Sequence, residues 1–177
     1  YAMPVSPQPC RVVAAFAAPT PGDAVYTHGL HMRVCELRLA EQPRLAGIKH
    51  LNRLEQVLAR AEWSDPAIAE GLLRDGHERV ISAIMANLFA VIDGALLTPS
   101  LERCGVAGVA RAEVLAMRPD ARVTELSLPA LSTASEIFLS SSVRGILPVQ
   151  SLDRWNYVPG VVTRQLQQHW RNLGFTM

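Results

Sequence analysis

"RLAGIKHLNRLEQVLARAEW", residues 44–63, holds the only lysine of a 177-residue chain with seventeen basic side chains. Leu51, Leu54, Val57, Leu58 and Ala61 recur at spacings of three and four while Arg53, Gln56 and Arg60 point elsewhere, which predicts a helix with one apolar stripe. Lys49 then sits just ahead of that helix, at a strand-to-helix junction. A guanidinium never loses its proton and cannot form an imine, whereas a lysine amine can, so a lysine kept among arginines suits Schiff-base chemistry with an aldehyde. An ordinary solvated lysine would look the same at this level, and the flanking sequence has to decide.

Upstream, residues 1–9 carry three prolines and read as an irregular lead-in. "CRVVAAFAAP" (10–19) has the apolar density of a short buried strand, "TPGD" (20–23) is turn chemistry, and "VYTHGLHMRVCEL" (25–37) reads as a second strand. Residues 38–48 show no period and read as a linker. Downstream, "AEGLLRD" (69–75), a break at "GHE", "RVISAIMANLFAVI" (79–92) and "ALLTP" (95–99) read as short strands. Asp93-Gly94 between apolar runs is the strongest hairpin signal in the chain. A helix is predicted over 109–117, stopped by Pro119; strands follow over 136–142 and 145–152, and a helix over 160–174 closes the chain. Hairpin-linked strands outnumber helices, so the expected class is α+β with a mixed sheet.

Composition narrows the functions. Apolar residues make up 49% and charged residues 19%, which suits one globular domain with a real core. A net charge of +1 offers no field of one sign, which disfavours nucleic acid and anionic membranes as partners. Cys10, Cys35 and Cys104 are odd in number and lack metal-knuckle spacing, so a reducing cytoplasm is the expected compartment. No apolar run is long enough to cross a bilayer and no charged-then-apolar leader opens the chain.

Two turns add to the lysine. "CGVAGVAR" (104–111) places glycines where a tight turn opens a helix, leaving the N–H groups of Val109 and Ala110 free to meet an anion. "SSSVRG" (140–145) offers hydroxyls and further N–H groups after a strand. Each pattern also occurs as a plain loop. An imine-forming lysine with two phosphate-suited turns points to pyridoxal phosphate.

"LAGIKHLNRLEQVLAR", "VISAIMANLFAV", "LLTPSLERCGVAGVAR" and "EIFLSSSVRGILPV", in this order, resemble the fold-type IV pyridoxal-phosphate enzymes, which include branched-chain and D-amino-acid aminotransferases and 4-amino-4-deoxychorismate lyase. "AGIKHLNRLEQVL" looks most like the lyase. The resemblance implies a mixed-sheet pseudo-barrel with flanking helices, the C-terminal domain of a two-domain subunit that works as a homodimer on a small-molecule substrate. It implies that Lys49 holds the cofactor and shuttles the proton at Cα, and that Gly108, Val109 and Ala110 together with Ser142 and Val143 hold its phosphate. It sets Asn87 in the motif lining the cofactor ring. The implied reaction is loss of pyruvate from 4-amino-4-deoxychorismate to leave 4-aminobenzoate, a folate precursor.

Two departures bear on that reading. Many members carry Val-Thr-Glu where this chain has "VIS", so Ser82 stands where a carboxylate would pair with the pyridine nitrogen. A hydroxyl there weakens the electron sink, which puts transamination in more doubt than elimination, or it is a tolerated variant without mechanistic weight. The chain also opens on Tyr1. The expectation is that residues 1–40 are the remnant of a smaller N-terminal domain and its linker, and 41–177 the cofactor-binding domain.

Other residues are weighed beside these. His28 and His31, three apart in an expected strand, fall on opposite faces and make a poor metal pair. His50 either tunes Lys49 or packs, and packing is preferred. Glu55 and Glu62 read as solvated, Arg144 as a candidate for a substrate carboxylate, and Trp155, Tyr157 and Trp170 as core or dimer contacts. Three functions stay open: the lyase, an aminotransferase of the same fold, and an inactive fragment that keeps the fold without a complete site.

Overall fold

The computed structural model describes residues 2, 4–18 and 20–175. In chain order the elements are α1 (Asp23–His28), β1 (Leu30–Leu39), α2 (Leu54–Arg60), β2 (Ile68–Asp75), β3 (Val80–Ala83), β4 (Asn87–Ile92), β5 (Ala95–Pro99), α3 (Val109–Met117), β6 (Arg122–Thr124), α4 (Leu128–Ser132), β7 (Glu136–Ser141), β8 (Gly145–Leu152), β9 (Trp155–Asn156) and α5 (Val161–Asn172). The strands form one mixed sheet in the order β3-β2-β1-β8-β7-β4-β5-β6, with β9 on β8. β1 runs parallel to both β2 and β8, and β5 parallel to β6; the other pairs are antiparallel. The expected α+β class holds.

A chain constraint curls this sheet. β3 and β4 lie five places apart in the strand order, roughly 24 Å in a flat sheet at about 4.8 Å per strand. Only Ile84, Met85 and Ala86 join them, and such a link reaches about 14 Å at most. The sheet therefore bends round on itself into a half-barrel, and Ala83 N–H closes the turn on Ala86 C=O at 2.9 Å. Alternate residues of β4 serve two cores, as the period of a strand requires. Leu88 and Ala90 face the barrel interior with Met32, Leu72, Leu139 and Leu147. Phe89 and Val91 face outward, where Phe138, Ile146, Val114, Leu166 and Trp170 pack α3 and α5 on the sheet. Phe89 and Phe138 are cross-strand partners with rings stacked at 5.1 Å.

Several expectations need correction. Residues 10–18 form no strand and are exposed; both edges of β1 are already taken by β2 and β8, so no neighbouring ladder is open there. Residues 23–28 are helical, and β1 begins only after Gly29, whose φ of +99° and close approach to Gln150 N break the chain direction. β1 then continues to Leu39, two residues into the stretch read as linker. The run 79–92 is two strands with the Ile84–Ala86 turn between them. α2 starts at Leu54, and its apolar stripe faces solvent: Leu54, Val57 and Leu58 are more than half exposed, and only Ala59 is buried. His28 lies in α1 and not in a strand, and no group of three metal-ligating side chains occurs among the described residues. Glu55 and Glu62 are not idle either. Glu55 accepts from Ala40 N–H at 2.7 Å, and Glu62 from Glu36 and Leu37 N–H at 2.8 and 2.9 Å, which fastens α2 and its exit to β1.

Tyr157 and Trp170 are buried, as expected for core contacts, Tyr157 in the inner core with Trp155 packed partly buried against it and Trp170 in the outer one. Among the described residues no helix is long and apolar enough to cross a membrane.

Candidate functional site

The curl gathers the β3–β4 turn, the start of α3 and the end of β7 around one open cleft, with Lys49 at its edge. Counting the part open to solvent it encloses about 680 Å³. Its described lining contains Lys49 and Arg53 as cations and no Asp or Glu.

Lys49 is exposed, in a segment, residues 48–50, that is neither strand nor helix. Two attachments hold it over the cleft. Gly47 exchanges backbone hydrogen bonds with the glycine turn, its N–H to Gly105 C=O and its C=O from Ala107 N–H, both at 3.0 Å. Arg53 donates from Nε to His50 C=O and from Nη2 to Ile48 C=O, again at 3.0 Å each. The residues on both sides of the lysine are therefore tied by one guanidinium.

The glycine turn is organised by Asn87 at the start of β4. Its Nδ2 donates to Val106 C=O at 2.8 Å and its Oδ1 accepts from Gly108 N–H at 3.1 Å. A Cβ on Gly108 would stand 2.3 Å from that oxygen, so only glycine fits. α3 follows with Gly108 as its N-cap, no side-chain capping bond and no acid in its first turn. Its first intrahelical bond is Ala112 N–H to Gly108 C=O, so the N–H groups of Val109 and Ala110, both at the cleft, have no intrahelical acceptor.

The end of β7 supplies three serines. Ser141 Oγ accepts from Val143 N–H and Arg144 N–H at 3.3 and 3.4 Å and so folds the turn. Ser140 lines the cleft, is only 2% exposed, and its hydroxyl has no hydrogen-bond partner. A buried hydroxyl without a partner costs about 1–3 kcal/mol, so this atom is suited to a ligand.

The comparisons with known proteins bear on what such a cleft serves. The amino-transferase class IV family matches residues 4–152. The chain belongs to that family. Aminodeoxychorismate lyase of Vibrio harveyi is 36% identical over 167 residues, covering 90% of this chain and 62% of the relative. The crystal structure of 4-amino-4-deoxychorismate lyase from Pseudomonas aeruginosa superposes with a TM-score of 0.87 at 47% identity, over 90% of this chain and 60% of that one. A putative branched-chain-amino-acid aminotransferase of Methanocaldococcus jannaschii is 30% identical over 71% of this chain and 46% of its own length. The chain thus spans about three fifths of the lyases it matches.

Of the residues singled out in this class IV sequence, Lys49, Ser82, Asn87, Gly108, Val109, Ala110 and Ser142 share the one cleft. Val143 and Arg144 do not line it. Val143 is exposed, with its N–H engaged by Ser141. Arg144 turns away to a salt bridge with Glu70, Nη2 to Oε2 at 3.0 Å, with the carboxylate 1% exposed. Desolvation raises the Glu70 pKa, and the Arg144 charge pulls it back down. His50 lines a neighbouring cavity, half-buried, with Nδ1 unpartnered. Arg53, Gln56, Ser140 and Ser141 were not picked out as lining residues. Arg53 had a signal in its closeness in sequence to Lys49; for the serines no sequence pattern tells which hydroxyl lacks a partner.

Proposed function

We propose that this chain carries the pyridoxal-phosphate site of a lyase that converts 4-amino-4-deoxychorismate to 4-aminobenzoate and pyruvate. The observation that carries the reading is the meeting, in a cleft whose described lining has no carboxylate, of the sole lysine with the open N–H groups of α3 and the unpartnered Ser140 hydroxyl. A phosphate satisfies the latter two groups, and an aldehyde uses the first. The similarity to two lyases supports the substrate.

In this reading Val109 and Ala110 N–H hold the phosphate from the helix side, with Ser140 and Ser142 opposite and Val143 outside the cradle. Gly108 gives the close approach, and Asn87 keeps the turn in shape. Ser82 offers a hydroxyl to the ring nitrogen. When bound, pyridoxal phosphate supplies an aldehyde for an amine and a ring that withdraws electrons from the carbon bearing it. Lys49 Nζ would take the proton from the substrate carbon that bears the amine and return it to the departing enolate, which leaves as pyruvate. Since Ser82 can hydrogen-bond the ring but not form an ion pair with it, withdrawal is weaker than a carboxylate would make it. Elimination tolerates this better than transamination, because forming an aromatic product supplies driving force of its own. The same reading takes a small molecule as the partner, a homodimer as the working unit and the cytoplasm as the compartment, with no role for nucleic acid at a net charge of +1.

An aminotransferase is the second reading, supported by the aminotransferase relatives. Incubation with pyridoxal phosphate, borohydride reduction and peptide mass spectrometry should locate the adduct on Lys49. Release of pyruvate from 4-amino-4-deoxychorismate without an added oxo acid supports the lyase; turnover that depends on 2-oxoglutarate favours the aminotransferase. Absence of any Lys49 adduct would sink both.

A further inference from the structure

Arg144 is committed to Glu70 and lies off the cleft, so another group has to recognise a substrate carboxylate if this chain recognises one. Arg53 has the needed properties. It lines the cleft, and none of the ion pairs among the described residues includes it. Its two hydrogen bonds go to neutral carbonyls, those of Ile48 and His50, which leaves its charge uncompensated. A guanidinium has five N–H donors, so these two bonds leave donors to spare. Its placement also runs against helix chemistry. Arg53 is the N-cap of α2 and makes no capping bond, where a short oxygen-bearing side chain is favoured and a positive charge is opposed by the helix dipole. A residue that breaks a local rule in this way is a functional candidate.

We propose that Arg53 reads a carboxylate of the substrate while the same guanidinium fixes the backbone on both sides of Lys49. This deepens the lyase reading and rests on it. The two carbonyl bonds hold the fork before substrate arrives, so little side-chain freedom is lost on binding. No carboxylate in the lining competes for it. The charge that selects the substrate and the amine that meets it are then positioned by one side chain. Arg53 thus acts as a binding and positioning residue, while the proton is moved by Lys49.

The test uses ligands of matched shape that differ in charge: 4-aminobenzoate against 4-aminobenzamide, and pyruvate against pyruvamide. Affinities are measured by ligand-observed NMR on this chain, with and without pyridoxal phosphate. The wild-type chain should prefer the carboxylate of at least one pair by about tenfold or more, the ratio expected of a charge-assisted hydrogen bond. Arg53→Gln should lose that preference and leave amide binding unchanged. Arg53→Lys keeps the charge without the fork; it should retain part of the preference and form the Lys49 adduct more slowly, since one ammonium cannot span both carbonyls and a ligand. Circular dichroism shows that each variant is folded, and Arg53→Lys decides alone if Arg53→Gln is not. A wild-type chain indifferent to charge on both pairs, or variants whose preference is unaltered, would overturn the proposal. Failure of Lys49 to form an adduct would instead count against the cofactor reading, because carboxylate preference is also measured without cofactor.

Discussion

α3 and α5 begin alike and are completed differently. Each is N-capped by a glycine in extended conformation, Gly108 or Gly160, with no capping bond from its own side chain, and each opens on a valine. Each glycine is pressed by a side chain from a strand beneath: a Cβ would stand 2.3 Å from Asn87 Oδ1 at Gly108 and 2.2 Å from Glu136 Oε1 at Gly160. Those strands, β4 and β7, are direct neighbours. Under α5 the pressing group is a carboxylate. Glu136 accepts from Val162 and Thr163 N–H at 3.2 and 2.9 Å and from Thr163 Oγ1 at 2.7 Å. Under α3 it is a neutral amide that takes only Gly108 N–H and leaves Val109 and Ala110 open to the cleft. A helix start needs an acceptor of negative character; the fold builds one into α5 and leaves the place at α3 for a ligand.

The largest expected effect comes from emptying the built-in acceptor. Glu136→Ala strands the Thr163 hydroxyl and two helix N–H groups in a buried place, and urea unfolding should show a loss of about 3 kcal/mol. Glu136→Gln keeps the shape but not the charge and should cost about half of that in the same assay. Making α3 resemble α5 is the next test: Asn87→Asp places a carboxylate beside the cleft. The fraction of Lys49 trapped with pyridoxal phosphate, followed against cofactor concentration, should show affinity lowered by about tenfold, or ~1.4 kcal/mol. The smallest effect is inorganic phosphate. At a concentration near its dissociation constant it should stabilise the wild-type chain by about 0.4 kcal/mol, a Tm rise of roughly a degree. Asn87→Asp should abolish that rise and Glu136→Gln should keep it; a rise of equal size in all three would remove the distinction between the two helix starts.

Where local chemistry decides conformation, the sequence was legible. Asp93 and Gly94 both take positive φ, +50° and +75°, in the β4–β5 hairpin their pairing predicts. α3 spans Val109–Met117 as read, with Pro119 just beyond. Where tertiary neighbours decide, it was not. β6, α4 and β9 are between two and five residues long, and β6 exists as a strand because it pairs with β5. "SLPAL" did carry a helix start, since Ser127 Oγ caps Ala130 N–H at 3.3 Å with Pro129 in the first turn, but five residues show no period. The apolar stripe of α2 was legible from its spacing, but not that it meets solvent in this chain. At the site, Lys49 was legible from composition and the two turns from their glycines and serines. The bond between Arg144 and Glu70 was not, because it joins residues 74 apart in sequence.

The placement of Lys49 on an exposed, irregular stretch has a practical use. With no other lysine in the chain, an endoprotease specific for lysine has one bond to cut, between Lys49 and His50. Such enzymes require a free ε-amine, so a lysine fixed to cofactor by borohydride is passed over. The intact band left on a denaturing gel then counts occupied sites molecule by molecule, with no chromophore or turnover needed to see them.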